Sequence, residues 1–316
     1  MKRSITVIIP AYKAEETIEK TLMSLVLQTD QDFSVIVVED GDNEAQHKIV
    51  SRYCDLRETW SFIQFYENHG CGCARNTGID RCKTSHLMFL DSDDILMPNA
   101  ISVLNQSLDK GYEFVAGDFL REIKNGKFIF IDGNSHNTWM HGRLYDRDFL
   151  NSHNIRCPEL GMVDDTPFNI LCREFAVRPA HTDSPLYIWR YNDKSVTRQD
   201  DAGYKQATEY IKGNLHYIKT AMRQRAVEKL RELPQVVAMT YFYYDYITEH
   251  FGFVDINEAL NDCIEIARII DLDGLMKTDW SEKLYKALLI PNRPYPDRPE
   301  PPHITFKEFA DVIYSR

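Results

Sequence analysis

The sequence predicts an α/β protein, a mostly parallel central sheet flanked by helices, followed by a C-terminal helical extension. Three observations lead there. Over roughly the first 95 residues, short β-branched runs alternate with amphipathic helical spacing, the pattern of strands joined by crossover helices. Two of those runs end in acids, Glu39-Asp40 and Asp91-Ser92-Asp93-Asp94. Beyond about residue 203 the strand signals stop and the helical period takes over.

Taken in order, Ile5–Ile9 is a first strand closed by Pro10, and residues 15–27 place Ile18, Leu22, Leu25 and Val26 on one helical face. Ser34–Val38 is a second strand that ends at Glu39-Asp40-Gly41-Asp42, and residues 44–53 have helical character. Phe62–Tyr66 reads as a third strand, 72–82 as a helix after a glycine-containing loop, and Leu87–Leu90 as a fourth strand. Glu113–Gly117 then reads as a strand, with Phe119–Ile123 and Lys127–Ile131 forming a hairpin around Asn125-Gly126. Helices near 145–152 and 165–174 precede a strand near 185–191. The tail offers helices at 203–224, 226–249, 256–270 and 280–288, a proline-rich stretch from Pro291 to Pro302, and a last helix near 305–315.

A chain of 316 residues holds one large domain or two modest ones. The division expected is 1–200 and 201–316, with the first part split near 95–96 into two halves. A net charge of −11 argues against a broad electrostatic grip on nucleic acid, although a local basic stripe would escape this count. No apolar run reaches the roughly 20 residues that span a bilayer. The opening segment, with Lys2 and Arg3 before a short apolar run broken by Pro10, reads as a strand and not as a leader. The seven dispersed cysteines show no metal-ligand spacing and fit reduced thiols. The compartment expected is the cytoplasm, with the protein free or peripheral to the inner face of the membrane.

The chemistry lies in the acids. Carboxylates as close as Asp91, Asp93 and Asp94 repel unless a cation sits among them, and hard cations such as Mg²⁺ or Mn²⁺ take oxygen ligands. A helix cap competes for Asp94, which precedes Ile95-Leu96-Met97-Pro98, and capping accounts for one or two of these acids. In a parallel sheet, ligands bind at the carboxyl ends of the strands, where both acid clusters fall. Downstream, Asp164 and Asp165 open an apolar helix containing Phe168, Ile170 and Leu171. They are read either as helix-start acids or as a proton acceptor.

Five segments in order resemble the family 2 glycosyltransferases. They are Val7-Ile8-Ile9-Pro10-Ala11-Tyr12, Val37-Val38-Glu39-Asp40-Gly41, Gly70 through Gly78 with Ala74-Arg75-Asn76-Thr77-Gly78, Asp91-Ser92-Asp93, and Asp164-Asp165-Thr166-Pro167-Phe168. The resemblance covers roughly residues 4–198. It implies the GT-A fold, a Rossmann-like sheet, and inverting transfer from a nucleotide-diphospho-sugar, UDP-linked first of all, to a hydroxyl acceptor. In that family the segment at Pro10, Ala11 and Tyr12 meets the base, Asp40 accepts from a base N–H, and Arg75, Asp91 and Ser92 lie along the nucleotide. Asp91 and Asp93 take the metal, Mn²⁺ or Mg²⁺, and Asp165 takes the place of the catalytic base. Asp164 stands where Glu is usual, and Asn192 where many relatives carry His.

The segment Trp139–Leu150, with Gly142-Arg143-Leu144-Tyr145, resembles a Gly-Lys-Leu-Tyr element that lies beside the acceptor in similar polysaccharide-building enzymes, which makes Trp139 and His141 candidate sugar-facing residues. Arg190, in Pro185-Leu186-Tyr187-Ile188-Trp189-Arg190, and Arg198 are candidate diphosphate partners. The acceptor implied is a glycan in bacterial surface polysaccharide assembly, and a hydroxylated DNA base is the alternative the acidic balance disfavours. A nucleotidyltransferase would want a glycine-rich opening loop, which Pro10-Ala11-Tyr12-Lys13 does not supply. A non-catalytic carbohydrate binder would have no need for acids at 40, 91, 93 and 165. The tail matches nothing recognised; several rings of its aromatic run Tyr241–Tyr246 are expected to close a helical core, with a sugar platform or a membrane-facing patch as the alternatives, and the tail as a whole is a candidate self-association surface.

Overall fold

The computed structural model describes residues 4–124, 126–134, 139–195, 202–251, 256–288 and 303–315. Asn125, Arg198 and the stretch Pro291–Pro302 lie outside the described residues. The chain clusters into two compact units, Met1–Asp193 and Lys194–Arg316.

Among the described residues the first unit is built on one sheet of nine strands. The strand β1 (Ile5–Ala11) is entirely buried and lies parallel between β2 (Phe33–Asp40) and β4 (His86–Phe89), with β3 (Trp60–Phe65) outside β2. Buried on both faces, β1 and β2 read as continuous apolar runs, as parallel strands do. The strand β1 runs through Pro10 instead of stopping there. The Ile8 carbonyl takes the Leu90 N–H (3.0 Å), and Pro10, two residues on, faces the same side after β4 has ended, so its missing N–H costs no ladder bond.

The crossover helices are α1 (Ile18–Val26), α2 (Glu44–Asp55) and α3 (Cys71–Arg81). The helix α1 buries Ile18, Leu22 and Leu25 against the sheet, about 1.5–3 kcal/mol of transfer energy for each side chain. The Asn43 side chain caps α2 by accepting from Gln46 N (3.0 Å). The helix expected over 72–82 is α3, which Gly70 opens with φ 91°.

After β4 the chain forms β5 (Ile95–Leu96), α4 (Ala100–Asn105), β6 (Phe114–Ile123), β7 (Lys127–Ile131), β8 (Leu144–Asp146), α5 (Arg147–Ser152), α6 (Asp165–Phe175) and β9 (Ala180–Trp189). The sheet order is β3-β2-β1-β4-β8-β6-β9-β5, with β7 paired to β6. Asp94 caps no helix. Ile95 and Leu96 pair antiparallel with Ile188 and Tyr187, so a strand follows, and α4 begins only beyond Pro98. The strand β6 runs unbroken through Gly117, where an added Cβ would lie 2.4 Å from Leu186 Cδ1, and the irregular register with β9 falls there. The strand β9 starts earlier than its apolar run because His181 is held by Asp118 across the strands (2.8 Å).

The second unit is helical: α7 (Ala202–Ala221), α8 (Leu233–Phe251), α9 (Asn257–Ile270), α10 (Leu272–Met276), α11 (Trp280–Leu288) and α12 (Phe306–Tyr314). The rings of Tyr241, Tyr243 and Tyr244 are buried. Tyr243 stacks on Tyr210 at 4.2 Å, and Tyr241 and Tyr244 pack on Phe309. These three rings therefore form core, as expected from sequence. Thr305 and Glu308 form a capping box at the start of α12. No helix among the described residues is long and apolar enough to cross a membrane.

Candidate active site

The carboxyl ends of β1, β2 and β4 open on one side of the first unit, where the residues singled out from sequence gather. Pro10 and Ala11 are buried in β1, while the Tyr12 ring, just past the strand, is 48% exposed. Its edge lies against Gly41, whose φ of +124° disfavours any side chain and where an added Cβ would sit 3.3 Å from the ring. Tyr12, Lys13, Gly41, Asp42, Asn43, Tyr66 and Asn68 line an open cleft. Asp40, 2% exposed, accepts from His69 N (2.7 Å) with one carboxylate oxygen and from Gly70 N (2.8 Å) with the other. It thereby ties the end of β2 to the start of α3.

Arg75 projects from α3 and is 6% exposed. Its guanidinium donates to Asp164 Oδ2 (2.5 Å) and to Asp91 Oδ1 (2.6 Å), joining the end of β4 to the start of α6. Two features fix that bridge. Asn76 clamps the Cys157 backbone, donating to its carbonyl (2.8 Å) and accepting its N–H (2.9 Å). Gly72 lets the 157–160 segment approach so closely that a Cβ would lie 2.1 Å from the Pro158 carbonyl oxygen. Asp165 follows Asp164 and accepts from Thr166 N (2.7 Å). Burial and the neighbouring charge of Asp164 push its carboxyl up to about 7, against the pull of Arg75. Burial alone would raise Asp91 as well, but the Arg75 guanidinium and His141 outweigh it and hold Asp91 below the usual carboxylate range.

The remaining acids crowd together. Asp94, 1% exposed, accepts from the Tyr187 hydroxyl (2.6 Å) and from Arg190 N (2.7 Å), and that hydroxyl in turn accepts from Asp91 N (3.2 Å). Asp93 accepts from the Asn192 amide (2.8 Å). Burial, followed by the charges of Asp93 and Asp91, raises Asp94 well above its ordinary value, and burial raises Asp93. The Ser92 and Asp94 carbonyls share the Thr21 hydroxyl (2.9 and 2.8 Å). One oxygen or nitrogen from each of Asp91, Asp94 and His141 lies within 4.8 Å of the others. Oxygen donors this close, disfavouring one another's charge, are what a hard divalent cation relieves, so the residues present fit one.

The structure thus brings together Arg75, Asp91, Asp93, Asp94, His141, Asp164 and Asp165. It sets Tyr12 and Asp40 along the same strand ends. Trp139 stands back, packed edge-on to Phe119 (5.6 Å) and against Trp189 (5.6 Å). The Arg190 side chain turns to Glu122 (3.5 Å), and it is the backbone of Arg190 that meets the acids. Asn76 and Tyr187 were not singled out from sequence. Their partners lie 81 and 93 residues away, and no local pattern announces them.

Comparison with known proteins follows the same line. The family model described as "Glycosyl transferase family 2" matches residues 6–178. The putative glycosyltransferase EpsH of Bacillus subtilis (strain 168) is 24% identical over 220 residues, covering 62% of this chain and 63% of that relative. The teichoic acid poly(glycerol phosphate) polymerase of Staphylococcus epidermidis is 37% identical over 129 residues, 40% of this chain and 18% of its own length. The crystal structure of S. aureus TarS 1-349 in complex with UDP-GlcNAc superposes with a TM-score of 0.69 at 15% identity, covering 90% of this chain and 89% of that one. The shared architecture is the GT-A-like sheet with helices following it.

Proposed function

Because the chain belongs to glycosyl transferase family 2, we propose that it moves a sugar from a UDP-sugar to a hydroxyl group of a growing surface glycan, with inversion at the anomeric carbon. The observation that carries this reading is the Arg75 bridge, one guanidinium held by Asp91 on the donor side and by Asp164 beside the candidate base. UDP as the donor nucleotide and a cell-wall polymer as acceptor are supported by what the relatives above bind or make.

In this reading residues 1–95 bind the nucleotide and 96–200 face the acceptor. The exposed Tyr12 ring and the Asp40 carboxylate receive the base. Asp40 keeps free lone pairs on oxygens already aligned by two backbone N–H groups. Asp165, with its carboxyl raised to about 7, is half ionised near neutrality and takes the proton from the acceptor hydroxyl as that oxygen attacks the anomeric carbon. The bond to the diphosphate oxygen breaks, and UDP leaves with the electron pair. Mn²⁺ or Mg²⁺ held by Asp91 and Asp93 would supply Lewis-acid neutralisation of the departing diphosphate. Arg75 holds Asp91 ionised and keeps Asp164 and Asp165 at a fixed distance from it.

The test is calorimetric titration with UDP in the presence of Mn²⁺ and then of excess chelator, followed by turnover of UDP-sugars. Binding that depends on the cation, with hydrolysis or transfer lost in Asp165→Asn, upholds the proposal. Tight binding with no turnover for any UDP-, GDP-, CDP- or dTDP-sugar would leave a binding protein instead.

A further inference from the structure

We propose that His141 gives an imidazole nitrogen to the cation that Asp91 and Asp93 would hold, from the side where its ring faces Asp91 and Asp94. The inference rests on the reading that this site holds a divalent cation and adds its nitrogen ligand. His141 is 8% exposed, on the turn that Gly142 (φ 66°) makes before β8. Its ring stacks on Tyr187 (4.6 Å, 18°) and meets Phe119 edge-on (5.1 Å) and Trp189 at a tilt (5.1 Å), so three aromatic rings hold it in place.

Within that enclosure the imidazole makes no hydrogen bond of ordinary length. Among the described residues Nδ1 has no partner, and Nε2 lies 3.7 Å from Asp91 Oδ2 and 3.9 Å from Asp94 Oδ2. It is Nε2, turned towards two carboxylate oxygens beyond hydrogen-bond reach, that calls for an explanation, since Nδ1 stays as it is whether or not an ion binds at Nε2. An imidazolium paired with the two acids would still bury a charged ring with one N–H unsatisfied, which costs more than burying a neutral ring. Two donors each about 2.1 Å from one ion stand about 3.0–4.2 Å apart as their angle opens from 90° to 180°. Both separations fall in that interval. Asn192 meanwhile donates its amide to Asp93, engaging one oxygen of that acid. An imidazole ligand shifts preference from Mg²⁺ towards Mn²⁺ and Co²⁺.

The experiment uses the full chain with UDP and Mn²⁺, following free Mn²⁺ by electron paramagnetic resonance and ligation by electron-spin-echo modulation. Expected are ¹⁴N modulation on the bound Mn²⁺, its loss in His141→Gln, and a Kd for Mn²⁺ raised at least about tenfold in that variant, on the scale known for ligand-shell mutations. Bound Mn²⁺ without ¹⁴N modulation in the unmodified chain, or modulation that persists in His141→Gln, overturns the inference and leaves the cation reading standing. No Mn²⁺ binding with or without UDP removes both. The unmodified chain's spectrum decides the matter even where the variant fails to fold.

Discussion

If Asp165 is the proton acceptor, the pH–rate profile reports its ionisation. Its carboxyl is pushed up to about 7 from 3.8, first by burial and then by Asp164, and a base must be unprotonated to act. With a single ionisation near 7, about a tenth of the enzyme is competent at pH 6, half at pH 7 and nine-tenths at pH 8. The limiting slope on the acid side is tenfold per unit. We therefore expect kcat/KM for the UDP-sugar to rise about ninefold to tenfold from pH 6 to pH 8, with saturating Mn²⁺ and a continuous UDP-release assay. Asp165→Asn should lower kcat by about 10²–10⁴ and abolish the limb. Arg75→Gln removes the positive charge that opposes the shift, so in that variant the limb should move to higher pH. The sign for stability is opposite to that for activity. Between about pH 4 and pH 7 the folded chain keeps a proton on Asp165 that the unfolded chain releases, so this group stabilises the fold at the acid end and the contribution fades as pH rises through about 7. A flat profile, or an acid limb near the ordinary carboxylate value, would refute the assignment.

Tyr187→Phe strands Asp94 and the Asp91 N–H, both tied to that hydroxyl; a loss of about 1–3 kcal/mol in denaturant unfolding and a sharp fall in kcat are expected. Gly72→Ala drives a Cβ to 2.1 Å from the Pro158 carbonyl oxygen, so chemical denaturation should show a cost of about 1–3 kcal/mol or more, with turnover reduced through displaced Asp164 and Asp165. Tyr12→Ala should weaken UDP binding in calorimetry while leaving the unfolding midpoint within about 0.5 kcal/mol, because the ring is 48% exposed. Phe309→Ala removes a ring packed on Tyr241, Tyr244 and Phe306 and should cost about 3–5 kcal/mol of the helical unit's stability, read by its thermal transition.

The strands of the first unit could be read in sequence because residues buried on both faces are mostly apolar, as Val7–Ile9 and Val35–Val38 are. What escaped notice was decided by contact at a distance. Ala180–Asp183 is polar and joins β9 because Asp118 holds His181, and Leu144–Asp146 is too short to show a period before α5. The acids at strand ends were legible for the same reason the strands were, since nothing in a core asks for them. Their division of labour was not. Asp94 has the local signature of a cap, and only Tyr187 and Arg190, more than ninety residues on, turn it into the floor of the site. Asp164 gave no sign that Arg75, 89 residues earlier, would hold it.

The helix α3 has a bearing on how such a site diversifies. With its cap Gly70 it grips five separate pieces of the unit: Gly70 the Asp40 carboxylate, Gly72 and Asn76 the 157–160 turn, Arg75 both Asp91 and Asp164, and Gly78 the face of Ile8. The entry to α6 is therefore positioned from a helix far upstream and not by the chain that leads into it. From the other side β8 supports α6, its buried Tyr145 donating to Asn169 of that helix (2.7 Å), so the candidate proton acceptor is held between two distant elements. A graft meant to change acceptor preference must therefore leave both α3 and β8 untouched.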